Sequence, residues 1–167
     1  MPPSGAEEII ETSVIKELYA TVPHGEMYAS AGSTTYNLAD LEIQIFDAWD
    51  AEGSSFDVEP NIVTGKLIIN TKGRYLVNVS MAFESTGSVL WLIGIMEGGV
   101  VGGTIQSNLT VRRQMGAGGD VGVISISGIC ACAPGDELSV IFFQNAGLPN
   151  KDITVKDINF TISRIGN

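Results

Sequence analysis

After His24, apolar and polar residues alternate with a period of two through most of the chain, as they do in strands with one buried face. The clearest run follows a turn at Thr71–Gly73. There Tyr75, Val77, Val79, Met81 and Phe83 share one face, while Asn78, Ser80 and Glu84 lie on the other. A second long strand is predicted over Val121–Ala133, with Ile124, Ile126, Cys130 and Cys132 facing one way and Gly128 between them. Val89–Met96 is apolar on both faces and reads as a strand buried on both sides. In Ile105–Arg113, Leu109 and Val111 oppose Asn108, Thr110 and Arg112. Leu138, Val140 and Phe142 begin another strand, and Ile153–Ile165 is the last.

Earlier in the chain a strand is predicted at Glu26–Ala31, ended by Gly32, and one or two strands within Thr34–Asp47. Gly65–Asn70 supplies one more. The stretch Asp47–Pro60, rich in Asp, Glu, Gly and Ser, reads as a loop. Gly116–Gly119 reads as a flexible hairpin turn, and Ala133-Pro-Gly-Asp136 as a turn by its residue chemistry. Turns recur about every ten to fifteen residues with no helix between strands, which predicts an all-β, antiparallel two-sheet sandwich or jelly roll.

Residues 1–22 follow a different pattern. Ser4-Gly-Ala-Glu7 resembles a helix capping box, and Ile10, Val14 and Leu18 recur at four-residue spacing with Ile15 and Tyr19 beside them. A short amphipathic helix and an extended arm both fit, since β-branched residues weaken the helical reading. Either form carries an apolar stripe that must pack on the body or on a partner. The chain therefore divides into an N-terminal arm, 1–22, and a body, 23–167.

Composition sharpens this division. Twenty glycines against six prolines suit many tight turns, and a hydrophobic fraction of 44% is enough for a core. Residues 1–59 hold twelve acids and one base, Lys16, whereas residues 60–167 hold seven acids and eight bases. The net charge of −10 thus belongs to the N-terminal third. Such a distribution argues against nucleic-acid binding, which needs a basic stripe, and against attachment to anionic membranes. A charged fraction of only 17% suits a protein that hides part of its surface in an assembly. There is no leader-like segment and no apolar run of membrane-spanning length, so the product is expected in the cytoplasm that makes it. Three Asn-x-Ser/Thr sequons, at Asn78, Asn108 and Asn159, carry little weight without secretion.

Candidate chemistry is sparse. A single histidine, His24, has no nucleophile elbow to serve, and the glycines at 116–119 lack the Lys-Ser/Thr of a phosphate loop. Catalysis is not expected, and no cofactor is implied. Cys130 and Cys132 read as small buried hydrophobes. Asp47, Asp50, Glu52 and Asp57 lie close together beside Gly53, and are the candidate ligands for calcium, although their spacing misses the twelve-residue calcium loop. An acidic loop of this kind is ordinarily just solvated. Trp91 on the doubly apolar strand is expected in the core or at a subunit interface. Trp49 is expected either as an exposed contact or as a cap on one end of the sandwich.

Four segments carry a resemblance to a known family. They are Thr64-Gly65-Lys-Leu-Ile68, Gly73-Arg-Tyr75-Leu-Val77, Ala133-Pro-Gly135-Asp136-Glu-Leu138-Ser-Val140 and Ile158-Asn-Phe160-Thr-Ile162. Their order and spacing over roughly residues 60–165 resemble the jelly roll of the tumour-necrosis-factor and complement-head superfamily. The resemblance implies a homotrimer in which one sheet of each subunit faces the threefold axis. Similar Gly/Ser/Thr-rich jelly rolls occur as decoration (cement) proteins and fibre heads of tailed bacteriophages, often with an N-terminal attachment segment.

The functional expectation is a virion structural protein that trimerises and stabilises a phage head by non-covalent contacts. Ile10, Val14, Leu18 and Tyr19 of the arm would contact the major capsid protein or another virion protein, and Trp91 would serve assembly of the trimer. The alternative is a fibre-head or complement-like module that recognises a receptor or glycan through the loops Asp47–Pro60 and Arg113–Asp120.

Overall fold

A computed structural model describes residues 21–167 except 31, 100, 101, 117–119, 146 and 148. The arm residues Ile10, Val14, Leu18 and Tyr19, and most of the glycine turn at 116–119, lie outside the described residues. Twelve strands follow one another: β1 (His24–Ala29), β2 (Thr34–Leu38), β3 (Gln44–Ile45), β4 (Ala51–Glu52), β5 (Val58–Asn61) and β6 (Lys66–Ile69). The long strands come next: β7 (Gly73–Ser85), β8 (Val89–Glu97), β9 (Thr104–Met115), β10 (Val121–Cys132), β11 (Glu137–Gln144) and β12 (Lys151–Gly166). Among the described residues no helix is long and apolar enough to cross a membrane.

The strands form two antiparallel sheets. The first runs β10-β7-β12-β1-β4, with β2 also paired to β12; the second runs β5-β6-β11-β8-β9, with β3 also paired to β11. The protein is therefore the all-β jelly-roll sandwich that the alternation predicts. Inward residues of the first sheet (Tyr75, Val77, Val79, Met81, Phe83, Ile124, Ile126, Phe160) meet Leu67, Ile69, Trp91, Ile93, Val140 and Phe142 of the second in one continuous core. Where β9 and β10 close the sandwich, Gly128 lets the Leu109 side chain pack directly against the β10 backbone. A Cβ there would lie 2.7 Å from Leu109 Cδ2.

Two expectations need correction. The segment Asp47–Pro60 is not wholly a loop, because it contributes β4, which pairs with β1, and the start of β5, which pairs with β6. A strand of two residues is too short to show a period, and its ladder partner comes from elsewhere in the chain. The first strand also begins earlier than Glu26, since His24 pairs with Ser163 and exchanges both backbone hydrogen bonds with Phe56. The antiparallel β1–β12 pairing brings Thr21–Pro23 alongside Arg164–Asn167, with the Arg164 N–H donating to Pro23 O at 2.8 Å.

Candidate assembly surface

The strongest departure from ordinary soluble surface is the outward face of the first sheet. On β10 the inward residues are buried, while Val121, Val123, Ser125, Ser127, Ile129 and Ala131 point out and are exposed. On β7 the outward positions run Leu76, Asn78, Ser80 and Ala82 between a single charge at each end, Arg74 and Glu84. On β12 a bulge between Val155 and Asp157 adds Lys156, whose ammonium pairs with Glu84 at 3.0 Å. Beyond it Asn159, Thr161 and Ser163 continue the uncharged pattern. Val123 is 66% exposed, Val121 51% and Ile129 40%. A shallow depression of about 510 Å³ crosses this face between Tyr28, Ser80, Ala82, Val123 and Asn159, and the carboxylates of Glu26 and Asp157 also line it. Its polar atoms are satisfied locally, with Ser127 Oγ donating to Asn78 Oδ1 at 2.8 Å and Asn159 Nδ2 to Glu26 Oε1 at 2.7 Å. A sheet face with exposed valines and few charges, Arg74 and Asp157 beside the Glu84–Lys156 pair, is closer in composition to an interface than to ordinary wet surface.

The calcium candidates do not converge. The Tyr36 hydroxyl donates to Asp47 Oδ1 at 2.7 Å, and burial together with that carboxylate pushes the phenol well above its ordinary pKa. Asp50 Oδ2 accepts the Ser30 N–H at 2.7 Å. Asp57, at a positive φ of 54°, accepts the Thr71 hydroxyl. Glu52 lies on β4 opposite Met27. Among the described residues no three His, Cys, Asp or Glu side chains are grouped to hold a metal ion. The clustering in sequence is thus spent on local turn and strand contacts.

Both tryptophans are internal. Trp91 is fully buried, its Nε1 donating to Ser85 Oγ at 2.9 Å, so it belongs to the subunit core and offers nothing to a partner. Trp49 caps the sandwich, edge-on to Phe46 at 4.8 Å, with its Nε1 donating to Phe46 O. Cys130 and Cys132 are free, buried thiols; the hydrogen bond Cys132 gives to Cys130, then burial, holds Cys132 in its protonated form. His24 is engaged by Val22 O at 2.7 Å and Ser54 Oγ at 3.0 Å. It borders an open cleft of about 810 Å³ that Ser54, Thr161, Ser163 and Arg164 also line.

The loops singled out for recognition lie apart. Asp47–Pro60 sits at the β4/β5 end of the two sheets, and Arg113–Asp120 joins β9 to β10 at the other end. One subunit does not bring them into a single surface. The residues that sequence reasoning passed over are Val121, Val123 and Ile129. Their signal was present, since they occupy the positions of the Val121–Ala133 run that should be polar if that face met water.

No protein-family model matches the chain, and no curated protein matches it in sequence. Solved structures do match in fold. The chain is similar to the Eiger TNF of S. frugiperda, with a TM-score of 0.64 at 8% identity, over 87% of this chain and 94% of that one. It is also similar to the globular domain of a zebrafish complement 1qA protein, with a TM-score of 0.59 at 14% identity, over 87% of this chain and 99% of the other. The fold is the TNF-like jelly roll.

Proposed function

We propose that the chain is a self-assembling structural module, three copies packing with the outward faces of their first sheets toward a common axis. The observation that carries this reading is the exposed, sparsely charged face of β10, β7 and β12 with its three large apolar side chains. The assembly is a virion decoration (cement) protein, non-covalently stabilising a phage head, with residues 1–22 docking on the major capsid protein or another virion protein. The reading assigns no catalytic step to the chain. Its support is the match in fold, the low overall charge and the apolar stripe at Ile10, Val14 and Leu18.

Molar mass in solution by light scattering tests the first half. The expected result is three times 17.6 kDa, and a monomer at every concentration overturns it. Deleting residues 1–22 tests the second half. The truncated protein should keep its mass state and lose capsid binding, and full binding would remove the arm from the mechanism.

A second reading, a trimeric receptor- or glycan-binding module, is favoured by the hydroxyl-lined cleft beside His24 and Arg164. Retention on a glycan array, abolished by Arg164→Ala, would favour it over decoration.

A further inference from the structure

The topology turns the acidic third of the sequence into one flank of the molecule. In the first sheet β1, β2 and β4 all lie beyond β12, and in the second β3, β5 and β6 all lie beyond β11. Residues 21–69 thus supply this side of the sandwich, and they contain eight carboxylates against one lysine, Lys66, which is already paired with Glu137 at 2.5 Å. Asp47, Asp50, Glu52 and Glu59 are exposed on it, together with Phe56 at 44% and Tyr28 at 38%.

The opposite edge has the reverse character. β9 and β10 close that side, and between Thr104 and Cys132 the charged residues are Arg112, Arg113 and Asp120. Asp120 is turned to its own backbone, accepting the Gly116 N–H at 3.0 Å. Arg112 and Arg113 are exposed and have no ion-pair partner among the described residues. β10 packs against β9 at this edge, and its outward face carries the exposed Val121, Val123 and Ile129.

Each side therefore joins exposed apolar side chains to charge of one sign, and the two signs are opposite. A twofold contact of flank on flank would set carboxylates against carboxylates. Flank on edge satisfies both, and it is a heterologous contact of the kind that closes into a ring. We infer that neighbouring copies meet head to tail, the carboxylates of the β4/β5 flank of one facing Arg112 and Arg113 of the next. The partner is a second copy of this chain, and the inference rests on the self-assembly reading above. The apolar residues supply adhesion, while the charges set orientation and make assembly sensitive to salt, because rim charges act through long-range fields that salt screens.

The test is sedimentation or light scattering of the full chain across salt, with circular dichroism to show that each variant is folded. Raising NaCl from about 0.05 to about 0.5 M should weaken assembly about tenfold, the reverse of a purely apolar contact. R112E/R113E at low salt should weaken it by about tenfold or more, and E52K/E59K should do the same. Combining the four changes should restore assembly, since the charges are then exchanged. An assembling protein with no loss in R112E/R113E, or no recovery in the combined variant, overturns this inference and leaves the self-assembly reading intact. A wild-type chain that is monomeric throughout overturns both.

Discussion

The two sheets share one core yet present opposite outward faces. Alternation sends Met96, Ser139 and Ile141 to the far side of the second sheet, and all three are buried there as fully as the inward Ile95 and Val140. The first sheet instead leaves Val121, Val123 and Ile129 open. The second sheet buries its outward positions Met96, Ser139 and Ile141 within the subunit and leaves Leu90, Leu92 and Phe143 half-buried, whereas the first leaves its outward apolar positions on β10 exposed. Equal hydrophobicity along two strands thus carries different meanings, depending on what the rest of the chain lays over them.

The largest effect is expected where the core belongs to both sheets. Trp91→Ala should cost about 3–5 kcal/mol, read from denaturant midpoints, because it empties a fully buried site and strands the Ser85 hydroxyl. Dissociation without unfolding would return Trp91 to an interface role. Next comes a matched pair. Ile141→Asp should destabilise the subunit by about 3 kcal/mol, since an unpaired carboxylate is forced into a buried position. Val123→Asp should leave the subunit's stability within about 0.5 kcal/mol while costing assembly roughly 2 kcal/mol. If both changes act on stability alone, the contrast between the sheets is wrong.

The smallest effect concerns Glu97, at the end of β8. Burial, and then the charge and hydrogen bond of Asp136, raise its carboxyl above the ordinary value. The folded state therefore holds the proton more tightly than the unfolded state. Stability falls as pH rises from the unfolded value through the folded one, and stays lowered above it. Glu97→Gln should raise the thermal midpoint slightly at neutral pH and change nothing below about pH 3, where both states are protonated. An equal shift at both pH values would assign the effect to packing.

Much of the fold was legible because a half-buried strand writes its period into the chain. Tyr75 to Phe83 and Ile124 to Cys132 are assigned to the core by alternation alone. β4 was not legible, because its pairing with β1 is made by tertiary structure. The start of β5 was hidden by the polar composition of Asp47–Pro60, and Pro60 is tolerated in it because β5 is an edge strand. The calcium candidates failed for a similar reason. Spacing shows that carboxylates are close, but not that Tyr36, Ser30 and Thr71 already hold three of them. The exposed valines were readable one strand at a time. That Arg112 and Glu52 end on opposite sides of the same body required the order of strands in both sheets.

The pairing of β1 with β12 has a practical consequence. Because Thr21–Pro23 runs beside Arg164–Asn167, the route into the body and the route out of it open at one pole of the sandwich. A peptide fused after Asn167 would leave from the same pole at which Thr21 enters the body. Cargo meant for display belongs instead on the turn at Thr86–Ser88, between β7 and β8. This turn is at the far end of the long strands, since Ser85 pairs with Ile153 and Arg74 with Gly166.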